Sequence, residues 1–98
     1  MIHIQKREME IILDILNKYA EDCEVFVFGS RLTGKCKPFS DLDLAFICKN
    51  KLGLDRISNL EYEFSQSDLP YKVDIVNCKR ISEEFQNIIN ANNEKIYG

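Results

Sequence analysis

A run of apolar, β-branched and aromatic residues, Val25-Phe26-Val27-Phe28, stops at Gly29-Ser30, and ten residues later the chain reads Asp41-Leu42-Asp43-Leu44. The first run predicts a buried strand that ends in a small polar turn. A second run, from Leu42 to Cys48, predicts another strand that begins with charge. Side chains two apart on a strand share a face, roughly 6.5–7 Å from one another, so Asp41 and Asp43 point one way while Leu42, Leu44 and Phe46 point the other. Two like charges held side by side on an apolar strand repel, and the arrangement is costly unless a cation lies between them. A pair of divalent ions roughly 3.5–4 Å apart is a standard means of clamping a transferring phosphoryl group.

The rest of the chain supplies helices and one more strand. From Ile4 to Ala20 the apolar positions Met9, Ile12, Leu13, Leu16, Tyr19 and Ala20 recur at three and four, which predicts an amphipathic helix whose stripe packs on a sheet. After Gly29, Ser30 is placed to cap a short helix through Arg31-Leu32-Thr33, ended by Gly34. Leu54, Ile57, Leu60 and Phe64 mark a second stripe. Within Tyr71–Asn77, Val73 and Ile75 share one strand face and Lys72, Asp74 and Val76 the other. A carboxylate in an apolar strand asks for a cation, which makes Asp74 a candidate third ligand. Ser82, followed by Glu83 and Glu84, opens a last helix, and Lys95-Ile96-Tyr97 reads as a short edge strand. Helices that alternate with strands in this way predict an α/β (α+β) fold.

Ninety-eight residues, 45% hydrophobic and 30% charged, suit one domain spanning 1–98 with a single core. A net charge of −3 argues against a general nucleic-acid clamp, which draws on a basic surface. No apolar run reaches the roughly 18–20 residues of a membrane span, and the start Met1-Ile2-His3-Ile4-Gln5 lacks the basic and apolar parts of a signal peptide, so a cytoplasmic location is expected. Cys23, Cys36, Cys48 and Cys78 form no C-x-x-C pair and no disulfide framework, and reduced structural thiols are expected. His3 is expected to be solvated at a frayed end.

The combined pattern of Gly29-Ser30, ten residues, Asp41-x-Asp43, with Ser40 before the first Asp and Leu44 after the second, resembles the signature of the minimal nucleotidyltransferase (MNT) domains of the DNA polymerase β-like superfamily. The resemblance implies a small mixed sheet of three to four strands flanked by helices. It also implies transfer of a nucleoside monophosphate from a nucleoside triphosphate, ATP above all, to a hydroxyl with two Mg²⁺ ions. Asp41 and Asp43 would be ligands of both metals, and Asp74 the third ligand that helps deprotonate the acceptor. Gly29, Ser30, Arg31 and Ser40 would bind the nucleotide, with Lys35 and Lys37 adding charge.

Family members of this size are often antitoxins of a helical HEPN-type toxin, and the resemblance implies adenylylation of a tyrosine of such a partner in a hetero-oligomer. One departure stands out. Many members read Gly-Ser-x-Ala-Arg-Gly, whereas Leu32-Thr33-Gly34 follow Arg31 here, so Thr33 replaces a basic residue. Two alternatives stay open: a catalytically weak or inactive module that neutralises a partner by contact, and a subunit of a small-molecule nucleotidyltransferase.

Overall fold

The computed structural model describes residues 2–34, 37 and 40–98. Lys35 and Cys36 lie outside the described residues. In chain order the elements are α1 (Lys6–Tyr19), β1 (Cys23–Phe28), α2 (Ser30–Thr33), β2 (Leu42–Cys48), α3 (Leu54–Gln66), β3 (Val73–Asn77), a 3-10 turn (Cys78–Arg80), α4 (Glu83–Ala91) and β4 (Glu94–Tyr97). The strands form one mixed sheet in the order β3-β2-β1-β4. β1 is antiparallel to both β2 and β4, and β2 runs parallel to β3.

The two strand faces do different work. Val25, Val27, Leu42, Leu44 and Phe46 are fully buried against Ile12 and Leu16 of α1 and Leu60 of α3. The alternate residues face α4, which covers only part of its side: Phe28, Ala45 and Ile89 form a small second cluster there. Burying one helix-facing side of every central strand fixes the register, because a slip of one residue would turn the apolar set outward. The same constraint aims Asp43 and Asp74 at the α4 side.

Helix signals in the sequence account for the ends of the elements. Glu8 in the first turn of α1 accepts a hydrogen bond from the Gln5 N–H at 3.2 Å, and the Ser82 hydroxyl accepts from the Phe85 N–H at 3.2 Å to open α4. The cap of α2 is Gly29, with Ser30 its first helical residue. This corrects the expected Ser30 cap; a positive φ at Gly29 lets the chain enter the helix one residue early.

Two further expectations are corrected. Cys23 and Cys48 are joined in a disulfide, and the cause is register: they stand directly opposite one another at the end of the β1–β2 ladder, a proximity that a separation of 25 residues gives no sign of. Among the described residues Cys78 is the free cysteine, and burial pushes its thiol pKa up. His3 is exposed but not frayed, since its N–H donates to the Arg31 carbonyl at 2.8 Å.

At the disulfide end of the sheet, Asp22 and Arg56 tie the turn before β1 to the start of α3. Arg56 donates to both Asp22 carboxylate oxygens and to the carbonyls of Asn50 (3.1 Å) and Lys51 (2.9 Å), and the Asn50 N–H donates to Asp22 at 2.8 Å. The Arg56 hydrogen bond holds the Asp22 carboxyl below its usual range. A depressed carboxyl stabilises the fold above its unfolded pKa of about 3.9 and loses that contribution as pH falls through the folded value. Asp22→Asn is therefore expected to be less stable by about 1–3 kcal/mol at pH 7 in urea denaturation, with the gap from the native chain closing as pH falls below the unfolded pKa and through the lower folded value.

Candidate active site

Phe28 and Asp43 are partners across β1 and β2, and Asp43 and Asp74 are partners across β2 and β3. Paired residues point to the same side of a sheet, so one row runs from the end of β1 through two carboxylates on the face that α4 leaves partly open. Asp41 lies just before β2 and is exposed. Its neighbour Leu42 is anchored by a 2.8 Å hydrogen bond from its N–H to the Lys72 carbonyl.

Asp43 sits in the middle of this row and is half-buried. Burial raises its pKa above the ordinary carboxylate value, and repulsion from Asp74 and then Asp41 raises it further. Asp43 thus lies within electrostatic reach of both Asp74 and Asp41. Asp74 is partly exposed and pairs with Lys72 at 3.4 Å. Asp68, the other carboxylate near the start of β3, belongs to the helical layer, where it meets Arg7 at 3.7 Å with both side chains about 80% exposed.

The turn after β1 is built against this acidic row. Gly29 has φ +78°, and a Cβ added there would run into the Asp43 carboxylate, with its Cγ 3.3 Å away. Only glycine lets the backbone approach so closely in this conformation. Ser30, half-exposed, follows at the start of α2. Behind the row, the rings of Phe28 and Phe85 meet edge to face at 6.1 Å, which seats the start of α4 beside the site.

Arg31 is where the sequence and the structure part. It is only 5% exposed. Its Nε and Nη2 donate to the Ser40 carbonyl at 3.2 and 2.9 Å, its Nη1 to the His3 carbonyl at 3.1 Å, and its guanidinium carbon lies 3.8 Å from the centre of the Tyr71 ring. The Ser40 hydroxyl accepts from the Lys37 N–H at 2.8 Å. Thr33 is exposed and its hydroxyl donates to the Ser30 carbonyl at 3.4 Å. Sequence reasoning missed Tyr71, whose ring supports Arg31 and whose hydroxyl donates to Glu8 at 3.0 Å; a tyrosine at a strand entrance carries no signal of either role.

All three acidic side chains offer hard oxygen donors, the kind that Mg²⁺ selects. Among the described residues no three acidic, cysteine or histidine side chains are gathered into a ready-made metal cage. Mg²⁺ keeps several waters and takes substrate phosphates alongside one or two carboxylates. The charge penalty on Asp43 is the kind a cation relieves.

The model of the family "Polymerase beta, Nucleotidyltransferase" matches residues 10–98. The chain belongs to this nucleotidyltransferase family. A probable protein adenylyltransferase, MntA, of Haemophilus influenzae is 41% identical over 88 residues, covering 90% of this nucleotidyltransferase and 77% of the relative. A chain of a toxin–antitoxin crystal structure with AMP-PNP has a TM-score of 0.79 at 21% identity, over 92% of this chain and 73% of the other. A chain from the tri-AMPylated Shewanella oneidensis HEPN toxin in complex with MNT antitoxin has a TM-score of 0.74 at 20% identity, over 97% of this chain and 73% of its own length. These structural likenesses establish the nucleotidyltransferase fold, with its four-stranded mixed sheet and flanking helices. No helix among the described residues is long and apolar enough to cross a membrane.

Proposed function

We propose that this nucleotidyltransferase is a cytoplasmic, Mg²⁺-dependent protein adenylyltransferase that moves AMP from ATP to a tyrosine hydroxyl of a HEPN-type helical toxin, and so acts as its antitoxin. The observation that carries this reading is the Gly29-Ser30 turn set directly against Asp43, with Asp74 beside it and Asp41 next along the chain. It is supported by the 41% identical relative, a probable protein adenylyltransferase.

Each part of the site has a role in that chemistry. Asp41 and Asp43 hold the metal ions, which when bound supply charge neutralisation at the phosphates and lower the pKa of the attacking hydroxyl. Gly29 gives the triphosphate access to backbone N–H groups at the start of α2, and the Ser30 hydroxyl hydrogen-bonds a β- or γ-phosphate oxygen. Ser40 shapes the loop that delivers Asp41. Asp74 accepts the proton of the acceptor hydroxyl as that oxygen attacks the α-phosphate and pyrophosphate leaves.

The deciding experiment is the intact mass of the HEPN partner after incubation with this chain, ATP and Mg²⁺. A gain of one or more adenylyl groups on tyrosine is expected. An inward Arg31 and a neutral Thr33 reduce the charge available to a triphosphate, and they favour a second reading, a module that neutralises its partner by contact. Unchanged mass in a stable complex would establish that reading instead.

A further inference from the structure

We propose that Arg31, stacked on Tyr71, is a positioning residue that fixes the loop carrying Asp41 and does not itself bind the triphosphate. The inference rests on the transferase reading for what the loop is for, and on contacts within this chain for how the loop is held. The peptide flanked by Ser40 and Leu42 is pinned on both sides. Two guanidinium donors converge on the Ser40 carbonyl, and the Leu42 N–H bonds the Lys72 carbonyl. Asp41 lies between these two anchors.

Both anchors lead back to the entrance of β3. Lys72 follows Tyr71, and Tyr71 is the platform under Arg31. One step on is Val73, and then Asp74. The loop of the first carboxylate is thereby referenced to the strand of the third, and to α1 through the Tyr71 hydroxyl on Glu8. A lysine could preserve the charge of Arg31. It could not preserve a planar fork that gives two bonds to one carbonyl while lying flat on a ring.

The direction of the guanidinium separates positioning from phosphate binding. A group whose fork is committed to Ser40 and His3, and which is 5% exposed, has been removed from solvent along with its charge. Swinging it out to a phosphate would release the loop that presents Asp41. The two roles exclude one another in this geometry.

Amide hydrogen exchange and ATP binding test this in Arg31→Lys, Tyr71→Leu and Tyr71→Phe, each as the full chain. In metal-free, nucleotide-free protein, exchange of the Leu42 and Ser40 N–H groups should rise on the order of ten-fold or more in Arg31→Lys and Tyr71→Leu, while the Leu44 and Phe46 amides stay as in the native chain. Tyr71→Phe, which keeps the ring, should match the native chain at Leu42. With ATP, the Mg²⁺ concentration giving half-maximal binding should rise about ten-fold in Arg31→Lys, and saturating Mg²⁺ should restore native ATP affinity. Native exchange at Leu42 in Arg31→Lys would overturn the proposal, as would an ATP affinity that stays low at every Mg²⁺ concentration, the mark of a lost phosphate contact. If the native chain itself bound no ATP in Mg²⁺, the transferase reading would fall, and the exchange data alone would still decide whether Arg31 positions the loop.

Discussion

Replacing Asp43 by asparagine is expected to make the protein more stable and to slow nucleotide transfer by about 10²–10³-fold or more. Asp43 is half-buried at the centre of the acidic row, and its pKa is raised by burial, by Asp74 and by Asp41. A carboxyl with a raised folded pKa is disfavoured in its charged form by folding. Its penalty is absent below the unfolded pKa of about 3.9, grows as pH rises towards the folded value and is fully present above it. Asparagine is nearly isosteric and never charged, so the variant should have the higher thermal midpoint at pH 7, and the difference should vanish near pH 3. On the proposed reading the same change also removes a metal ligand, and losing one charge-stabilising group at such a site typically lowers the rate by about 10²–10³-fold or more. Calorimetry of ATP binding in Mg²⁺, with the transfer rate beside it, checks both halves. Native affinity and rate in a stabilised variant would show that Asp43 is a surface charge without a cation.

What the sequence could and could not say divides along local and distant causes. β2 is legible to the residue, Leu42 to Cys48, because an apolar run bounded by Asp41 before it and by Lys49-Asn50 after it marks both ends. The Ser82 cap and the edge strand at the end follow from equally local chemistry. The alignment of Asp43 with Asp74 leaves no mark in the sequence pattern. It depends on a parallel register, Leu42 with Val73, that is set by how α3 crosses the sheet and packs Leu60 and Phe64 on its helix-facing side.

The burial of Arg31 is not legible in the sequence. An arginine beside a Gly-Ser turn reads as an open anion receptor, since exposed charge is the default. Its burial is decided by Tyr71, forty positions along, and by a backbone carbonyl, neither of which leaves a mark in a one-dimensional pattern. The Cys23–Cys48 bond was missed for the same kind of reason. Spacing cannot show that two cysteines face each other, whereas the β1–β2 register does.

Asp74→Asn is expected to lower kcat by about 10²–10⁴-fold while changing the Michaelis constant for ATP little. Asp74 is the partner of Asp43 on β3, at the edge of the row farthest from the Gly29 turn. On the proposed reading an acceptor hydroxyl would approach there an α-phosphate held through metal ions on the other two carboxylates. Removing a general base that acts only as the proton leaves affects the transition state more than the bound substrate, and general-base assistance is typically worth about 10²–10⁴-fold. The 3.4 Å pair with Lys72 supplies the competing account. Lys72 is 70% exposed and Asp74 40%, and an ion pair so open to water contributes only about 0–1 kcal/mol to stability. If that pair were the purpose of Asp74, then Lys72→Met and Asp74→Asn would behave alike, each slightly destabilised and each transferring at the native rate. If Asp74 takes the proton, the two variants diverge: Lys72→Met keeps its rate, and Asp74→Asn loses it with an unchanged fold. Steady-state kinetics on the two variants, run beside thermal denaturation of each, separate the accounts, and a native kcat in Asp74→Asn would remove Asp74 from the catalytic residues.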